Sequence, residues 1–101
     1  VILFTGKAAT EKKAEIQAMY RAYNKAVDYL NTTDRAQYMD LVIEKGGFPP
    51  AAKDVLQMPQ YHHASLPKDS DVTDCIKWLV GKELIKTQFS YDDIVVDLLG
   101  K

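Results

Sequence analysis

The chain has 101 residues, of which 47% are hydrophobic and 27% charged, and its formal net charge is −1. This length corresponds to about one domain, and the composition is ordinary for a globular protein. The near-neutral charge argues against a protein that binds nucleic acid or anionic membranes, because both functions leave a basic footprint. No apolar run approaches the roughly 18 residues that a membrane span requires. Cys75 is the single cysteine, so no internal disulfide can form.

The first four residues, Val1–Phe4, are all apolar and are followed by Thr5 and Gly6. A short apolar run bounded by turn residues predicts one buried β-strand. A lone strand needs partners for its backbone groups, and the sequence contains no second convincing strand. The chain also starts with valine rather than methionine. We therefore expect that Val1–Phe4 joins the sheet of a longer protein or self-associates with a second copy of the chain.

The stretch from Ala14 to Asn31 has the strongest periodic pattern in the chain. Its large apolar residues recur at the spacing of one helix face, and charged residues occupy the other side. The pattern predicts a helix of about 18 residues and about 27 Å, against which the shorter elements pack. The predicted inner face consists of Ile16, Met19, Tyr20, Tyr23, Val27 and Leu30.

Two further helices are predicted before residue 60. The run Thr32–Asp34 offers an N-cap for a helix of roughly Asp34–Glu44, and Gly46–Gly47 provides a left-handed end. Phe48–Pro50 begins a third, shorter helix, because proline is tolerated in the first turn, and Pro59 ends it. The predicted apolar sides are Tyr38, Met39, Leu41, Val42 and Ile43 in the second helix, and Ala51, Val55, Leu56 and Met58 in the third.

A fourth helix follows, with Asp69 or Ser70 as its cap and an end between residues 81 and 83. Trp78 lies at the edge of its apolar face and is expected to be half-buried, while Leu84 and Ile85 return to the core. The predicted apolar face consists of Val72, Cys75, Ile76, Leu79 and Val80.

The last predicted helix begins at Ser90. Asp93 follows three residues later, which resembles a capping box with aspartate in place of the usual glutamate or glutamine. The predicted apolar side of this short amphipathic helix consists of Ile94, Val95, Leu98 and Leu99.

Four stretches in this order resemble a known family. They are a strand ending near Phe4 with a lysine-containing turn, then AYNKAVDYLN, GGFPPAAKDVL and DCIKWLVGKELIKTQFSYDDIV. Together they resemble the C-terminal part of ABC-transporter substrate-binding proteins of the nitrate, sulfonate, taurine and thiamine-precursor type. In that family a glycine usually precedes the Leu-Ile pair, where this chain has Glu83. Either the helix ends differently here, or Glu83 adopts a left-handed conformation at some cost.

The resemblance implies a mostly α chain in which one N-terminal β-strand is followed by four to five helices. Residues 1–101 would form a single helical subdomain, a fragment of an α/β type II periplasmic-binding-protein lobe. Its parent would be periplasmic, or extracellular and membrane-anchored. It would capture a small solute by lobe closure and deliver it to an ABC permease, without enzymatic activity or cofactor. Most ligand contacts would lie outside this chain.

The stretch Gln60–Lys68 is the least helical and is expected to be an extended surface connection. Within it, the hydroxyl of Tyr61 could reach a ligand cleft, since loops often carry function. His62 and His63 are adjacent, so their side chains diverge, and no further ligand lies at metal-site spacing. We therefore interpret both as partly exposed loop histidines.

Two other features have simple structural interpretations. Asp69–Asp74 faintly resembles a calcium loop but lacks its glycine and terminal glutamate, so these acids fit a cap and first helical turn better. Cys75 on an apolar helix face is expected to be a small core residue, because no base accompanies it. A stand-alone helical domain that binds a partner helix in a groove is the main alternative. An enzyme is the least supported interpretation, because no catalytic constellation is evident.

Overall fold

The computed structural model describes residues 2–100, and this part of the chain is mostly α-helical, as expected. No β-strand forms between residues 2 and 100. None of the helices in these residues combines the length and apolar character that crossing a membrane requires. The helices are α1 (Gly6–Glu11), α2 (Lys13–Thr32), α3 (Arg35–Gly46), a 3-10 helix (Pro50–Asp54), α4 (Asp69–Gly81) and α5 (Tyr91–Ile94).

The opening residues precede the first helix without regular structure. Thr5 caps α1, because its hydroxyl oxygen accepts a hydrogen bond from the first turn. The predicted strand is not formed over Ile2–Phe4, since a strand needs a paired backbone and the described residues supply none. Val1, the first residue of that predicted strand, lies outside the described residues. The ring of Phe4 packs edge-on against Tyr20, with ring centroids 6.4 Å apart.

The long helix predicted around Ala14–Asn31 is confirmed as α2, which extends one residue further at each end. Its predicted apolar face is buried only in part. Ile16 and Val27 are 6% and 3% exposed, whereas Met19 and Tyr23 are 39% and 41% exposed. The spacing of the apolar residues therefore identifies the inner face of the helix correctly, but other parts of the chain bury less of that face than predicted.

Contacts between residues divide the chain into two compact units. The first unit contains the described residues up to Tyr20 and those from Ser65 onward, and the second contains residues 21–64. The expectation of one helical subdomain over residues 1–101 stays a prediction. The buried cores are Ile16, Ile76 and Leu98 in the first unit, and Val27, Tyr38 and Met39 in the second.

Helix α3 begins and ends as predicted. The Asp34 carboxylate accepts a hydrogen bond at 3.0 Å from the second backbone N–H of the helix, and Gly47 closes it at a φ of 69°. Tyr38 and Met39 are buried, but Leu41 is 58% exposed, so its predicted burial is wrong. Five apolar residues within six positions cannot share one face at about 100° per residue, and Leu41 lies outside the buried arc.

The third predicted helix is a short 3-10 helix that ends at Asp54 rather than at Pro59. The Arg35 guanidinium donates through Nη2 to the carbonyl oxygens of Lys53, at 2.5 Å, and Leu56, at 2.6 Å. Since a continuing α-helix would use the Lys53 oxygen for its own ladder, this arginine stabilises the chain after it leaves the helix. Val55, predicted on the apolar side, is 74% exposed.

Helix α4 begins at Asp69, and Lys68 occupies the N-cap position predicted for Asp69 or Ser70. Ile76 is its one buried residue among those described. Cys75 is exposed and Trp78 is 58% exposed, so the expected core cysteine and half-buried tryptophan are wrong. Cys75 lies one residue and Trp78 two residues from Ile76, and both are outside the narrow strip of the helix that the first unit covers.

The end of α4 confirms the left-handed alternative for Glu83, whose φ is 59°. Its N–H donates to the carbonyl of Val80, and the N–H of Leu84 donates to that of Leu79, both at 3.0 Å. These two bonds form a Schellman motif, which normally places glycine at the left-handed residue. The Leu84 side chain is 63% exposed, so its predicted return to the core is wrong.

Glu83→Gly should raise the free energy of unfolding by about 1 kcal/mol, because glycine removes the steric cost of the left-handed backbone. The matched control is Gly47→Ala, which imposes the same strain where glycine now stands at φ 69° and should lower stability by about 1 kcal/mol. Urea unfolding of both variants measures the two shifts. Shifts of the same sign would contradict this account.

The last helix is shorter than predicted. α5 ends at Ile94, and Val95 is already extended at φ −105° and ψ 122°. Three consecutive β-branched residues, Ile94–Val96, disfavour continuation of the helix. Leu98 is nevertheless buried, so the extended chain carries this residue to the core without a helical turn.

The predicted capping box at the start of α5 is confirmed. The N–H of Ser90 donates to the Asp93 carboxylate at 2.8 Å. Hydrogen bonds from the backbone and then the side chain of Ser90 lower the pKa of Asp93 below its ordinary value of 3.8. Such bonds favour the ionised carboxylate in the folded chain.

The capping box should therefore stabilise the protein above the ordinary pKa of an aspartate, and its contribution should be lost as the pH falls through the lowered folded pKa. We expect Asp93→Ala to lower the melting temperature slightly at about pH 6 and to have a smaller effect at about pH 2. Thermal unfolding followed by circular dichroism at both pH values tests this. A difference that grows on acidification would refute it.

Candidate functional site

The sequence-predicted site residue Tyr61 lies in an extended segment that runs along α2 within the second unit. We call Tyr61–Ala64 the strap. Three polar side chains of α2 hold it, namely Asn24, Asp28 and Asn31, which we call the polar row. The row follows the spacing i, i+4 and i+7, which places its members on one face of the helix.

Asn31 binds the main chain of the strap at two points. Its Nδ2 donates to the carbonyl oxygen of Tyr61 at 2.8 Å, and its Oδ1 accepts from the N–H of Tyr61 at 3.2 Å. A side-chain amide thus pairs with a peptide group much as a neighbouring strand would. The contact depends on backbone atoms and is therefore independent of the tyrosine ring.

The other two members of the row engage the far end of the strap. Asn24 Oδ1 accepts a hydrogen bond from the N–H of Ala64 at 2.8 Å. The Asp28 carboxylate lies 2.6 Å from Nε2 of His63, and both side chains are more than half exposed. His63 is therefore a loop histidine with a specific acidic partner, which the sequence interpretation did not include.

Tyr61 itself is half-buried. Within residues 2–100 its hydrogen bonds are made by its backbone rather than by its hydroxyl. Tyr61 therefore contacts Asn31 through its main chain, whereas the sequence predicted a contact between its hydroxyl and a ligand. The contact with a ligand stays a prediction. His62, its neighbour, is exposed.

An open depression of about 810 Å³ lies elsewhere in the second unit. It is lined by Arg35 and the residues from Asp54 to Met58. The Arg35 guanidinium in this depression donates hydrogen bonds to the carbonyl oxygens of Lys53 and Leu56. Nearby, the carboxylate of Asp40 lies 2.6 Å from Lys53 Nζ, and this hydrogen bond and its charge raise the pKa of Lys53.

The other candidate features from the sequence are dispersed. Between residues 2 and 100, no three His, Cys, Asp or Glu side chains converge on a point where they could hold a metal. Asp69 and Asp71 lie in the first turn of α4, as the interpretation of the acidic stretch predicted, and Asp69 accepts a hydrogen bond from Thr73. Acids there interact favourably with the helix dipole.

Sequence reasoning missed the asparagines of the polar row. Two asparagines seven residues apart on a predicted helix, Asn24 and Asn31, were the available signal, since asparagine is a weak helix former. Pro59 and Pro67 on either side of the strap are a second signal, because proline favours extended backbone before it. Neither signal identifies the pairing of the strap with the row.

The chain was compared with models of known protein families, with characterised proteins and with solved structures, and none of these comparisons found a match.

Proposed function

We propose that the chain is a helical part of an ABC-transporter solute-binding protein. In this proposal the parent protein is periplasmic, or extracellular and membrane-anchored. It captures a small solute of the nitrate, sulfonate, taurine or thiamine-precursor class and delivers it to a membrane permease without catalysing a reaction. The support is the order of the three helical stretches from Ala22 to Val95, together with a helix in each of them.

The observation that carries the proposal is unpartnered apolar surface. Six hydrophobic residues are buried in the described part of the chain, three in each unit. Large apolar side chains remain exposed in both units, as expected of helices whose packing partners lie in another part of a larger protein. Those more than half exposed are Leu3, Leu41, Val55, Trp78, Leu84 and Val96. Helices that cover the sheet of a larger lobe would bury such residues.

The genomic reading frame upstream of Val1 tests the proposal. About 200 further residues, one or two domains' worth, with a secretory signal are expected. An initiator methionine immediately before Val1 would refute it. The complete gene product should then bind one solute of the named class in calorimetric titrations. Failure to bind any member of a nitrate, sulfonate, taurine and pyrimidine panel would refute the solute assignment.

The second candidate is a stand-alone helical interaction domain. The exposed indole of Trp78 favours it, because tryptophan is enriched at the centres of protein interfaces. Gel filtration separates the two candidates. A stand-alone domain should elute as a monomer and unfold cooperatively, whereas a lobe fragment should self-associate through its apolar surface, including Ile2–Phe4.

A further inference from the structure

The strap is attached to α2 by polar contacts that water can reach. The bonds from Asn31 to Tyr61 and from Asp28 to His63 are exposed, and the bond from Asn24 to Ala64 is partly buried. Tyr61 and Ala64 are only half-buried, and the two histidines between them are exposed. Each exposed bond contributes modestly, because water competes for the same groups.

The contacts between the polar row and the strap indicate which chemical groups the row binds. Three of the four contacts involve a peptide group rather than a side chain, namely the C=O and N–H of Tyr61 and the N–H of Ala64. Main-chain recognition of this kind accepts many sequences, as long as the segment is extended and lacks proline at the donor positions. The fourth contact adds selectivity, since the Asp28 carboxylate favours an imidazole or a cation.

We propose that the polar row of α2 is a binding site for an extended segment of a partner protein, and that the strap occupies this site as an autoinhibitory mimic. The preferred partner segment carries a histidine, lysine or arginine two residues after the residue bound by Asn31, matching the spacing of Tyr61 and His63. This inference rests on the contacts of the second unit alone and is independent of the transport proposal.

The resident strap has a strong concentration advantage over a free peptide. Linkage through the chain gives it an effective concentration of the order of millimolar. A partner segment therefore binds weakly to the wild-type chain and more tightly once the strap is released. Tyr61→Pro with Ala64→Pro, the release variant, removes the two backbone donors that the row binds and leaves the row itself intact.

The probe is an acetylated and amidated nine-residue peptide with the sequence of residues 58–66, and its binding to the complete chain is measured by fluorescence anisotropy. The release variant should bind it at least about tenfold more tightly than the wild type. Adding Asn24→Ala and Asn31→Ala to the release variant should abolish this gain. A control peptide that carries Tyr61→Pro and Ala64→Pro should not bind. Equal binding by all three proteins, or no binding by the release variant, would overturn the proposal.

The two prolines could disrupt the fold, and a loss of the far-ultraviolet helical signal would reveal this. Hydrogen exchange in the wild-type chain then tests the proposal without the substitutions. In the wild-type chain, the amides of Tyr61 and Ala64 should be protected from hydrogen exchange and should exchange faster as the peptide is added. Amides in the centre of α2 should keep their protection. Unchanged exchange of both strap amides at saturating peptide would show that the peptide does not replace the strap and would overturn the proposal.

Discussion

Met39→Ala should lower the free energy of unfolding by about 3 kcal/mol, the largest effect that we expect from a single substitution in this chain. The Met39 side chain is 0% exposed. It lies in the small core of the second unit together with Tyr38. The ring centroids of Tyr38 and Tyr29 are 6.3 Å apart. Because this site is fully enclosed, truncation should cost both the lost transfer energy and the energy of the cavity that it leaves. Urea unfolding and the melting temperature measure the loss.

Leu41→Ala is the matched control on the same helix. Its side chain is 58% exposed, so truncation should change stability by less than about 0.5 kcal/mol. Met39→Leu should retain most of the stability, because it conserves volume and apolarity. Equal losses for Met39→Ala and Leu41→Ala would show that the core of the second unit is not where the structure has it.

Arg35→Ala is expected to have the second-largest effect, a loss of about 2 kcal/mol, because it removes charged hydrogen bonds to two carbonyl groups. The carbonyls of Lys53 and Leu56 would lose the donor that holds the chain after the 3-10 helix. The segment from residue 53 to residue 58 should consequently open more often. Urea unfolding measures the loss, and hydrogen exchange across this segment locates it.

Arg35→Lys separates geometry from charge. Its ammonium keeps the positive charge but cannot reproduce the guanidinium fork, so it should restore less than half of the lost stability. Arg21→Ala, which alters an exposed arginine on α2, should be nearly neutral. If lysine restored stability completely, the role assigned to the two hydrogen bonds of Arg35 would be wrong and charge alone would be sufficient.

The long helix and several helix ends followed from local sequence. The long helix, the left-handed Gly47 and the capping box at Ser90 appear where the sequence predicted them. Asp34 is the cap within the predicted run of cap residues, and Glu83 adopts one of the two alternatives that the sequence left open. Each depends on groups within a turn or two of the chain. The cap bonds join residues two to five positions apart, so the sequence window that specifies each cap is short.

Burial was predicted less well. Leu41, Val55 and Cys75 were assigned to apolar faces and Trp78 to the edge of one, and all four are exposed. Periodicity identifies the side of a helix that is able to pack, but the number of neighbouring elements determines how wide a strip is covered. The two small cores of this chain cover narrow strips, and so residues at the margins remain in solvent.

Interactions within a few residues therefore specify the mostly helical character of this protein, the position of its long helix, and the helix ends at Asp34, Gly47 and Ser90. Packing between residues far apart in the chain specifies that Arg35 holds the segment after the 3-10 helix and that the polar row of α2 holds the strap. These contacts join residues between 18 and 40 positions apart. Any of several polar side chains could have satisfied the same backbone groups, and the packing of the second unit selects among them.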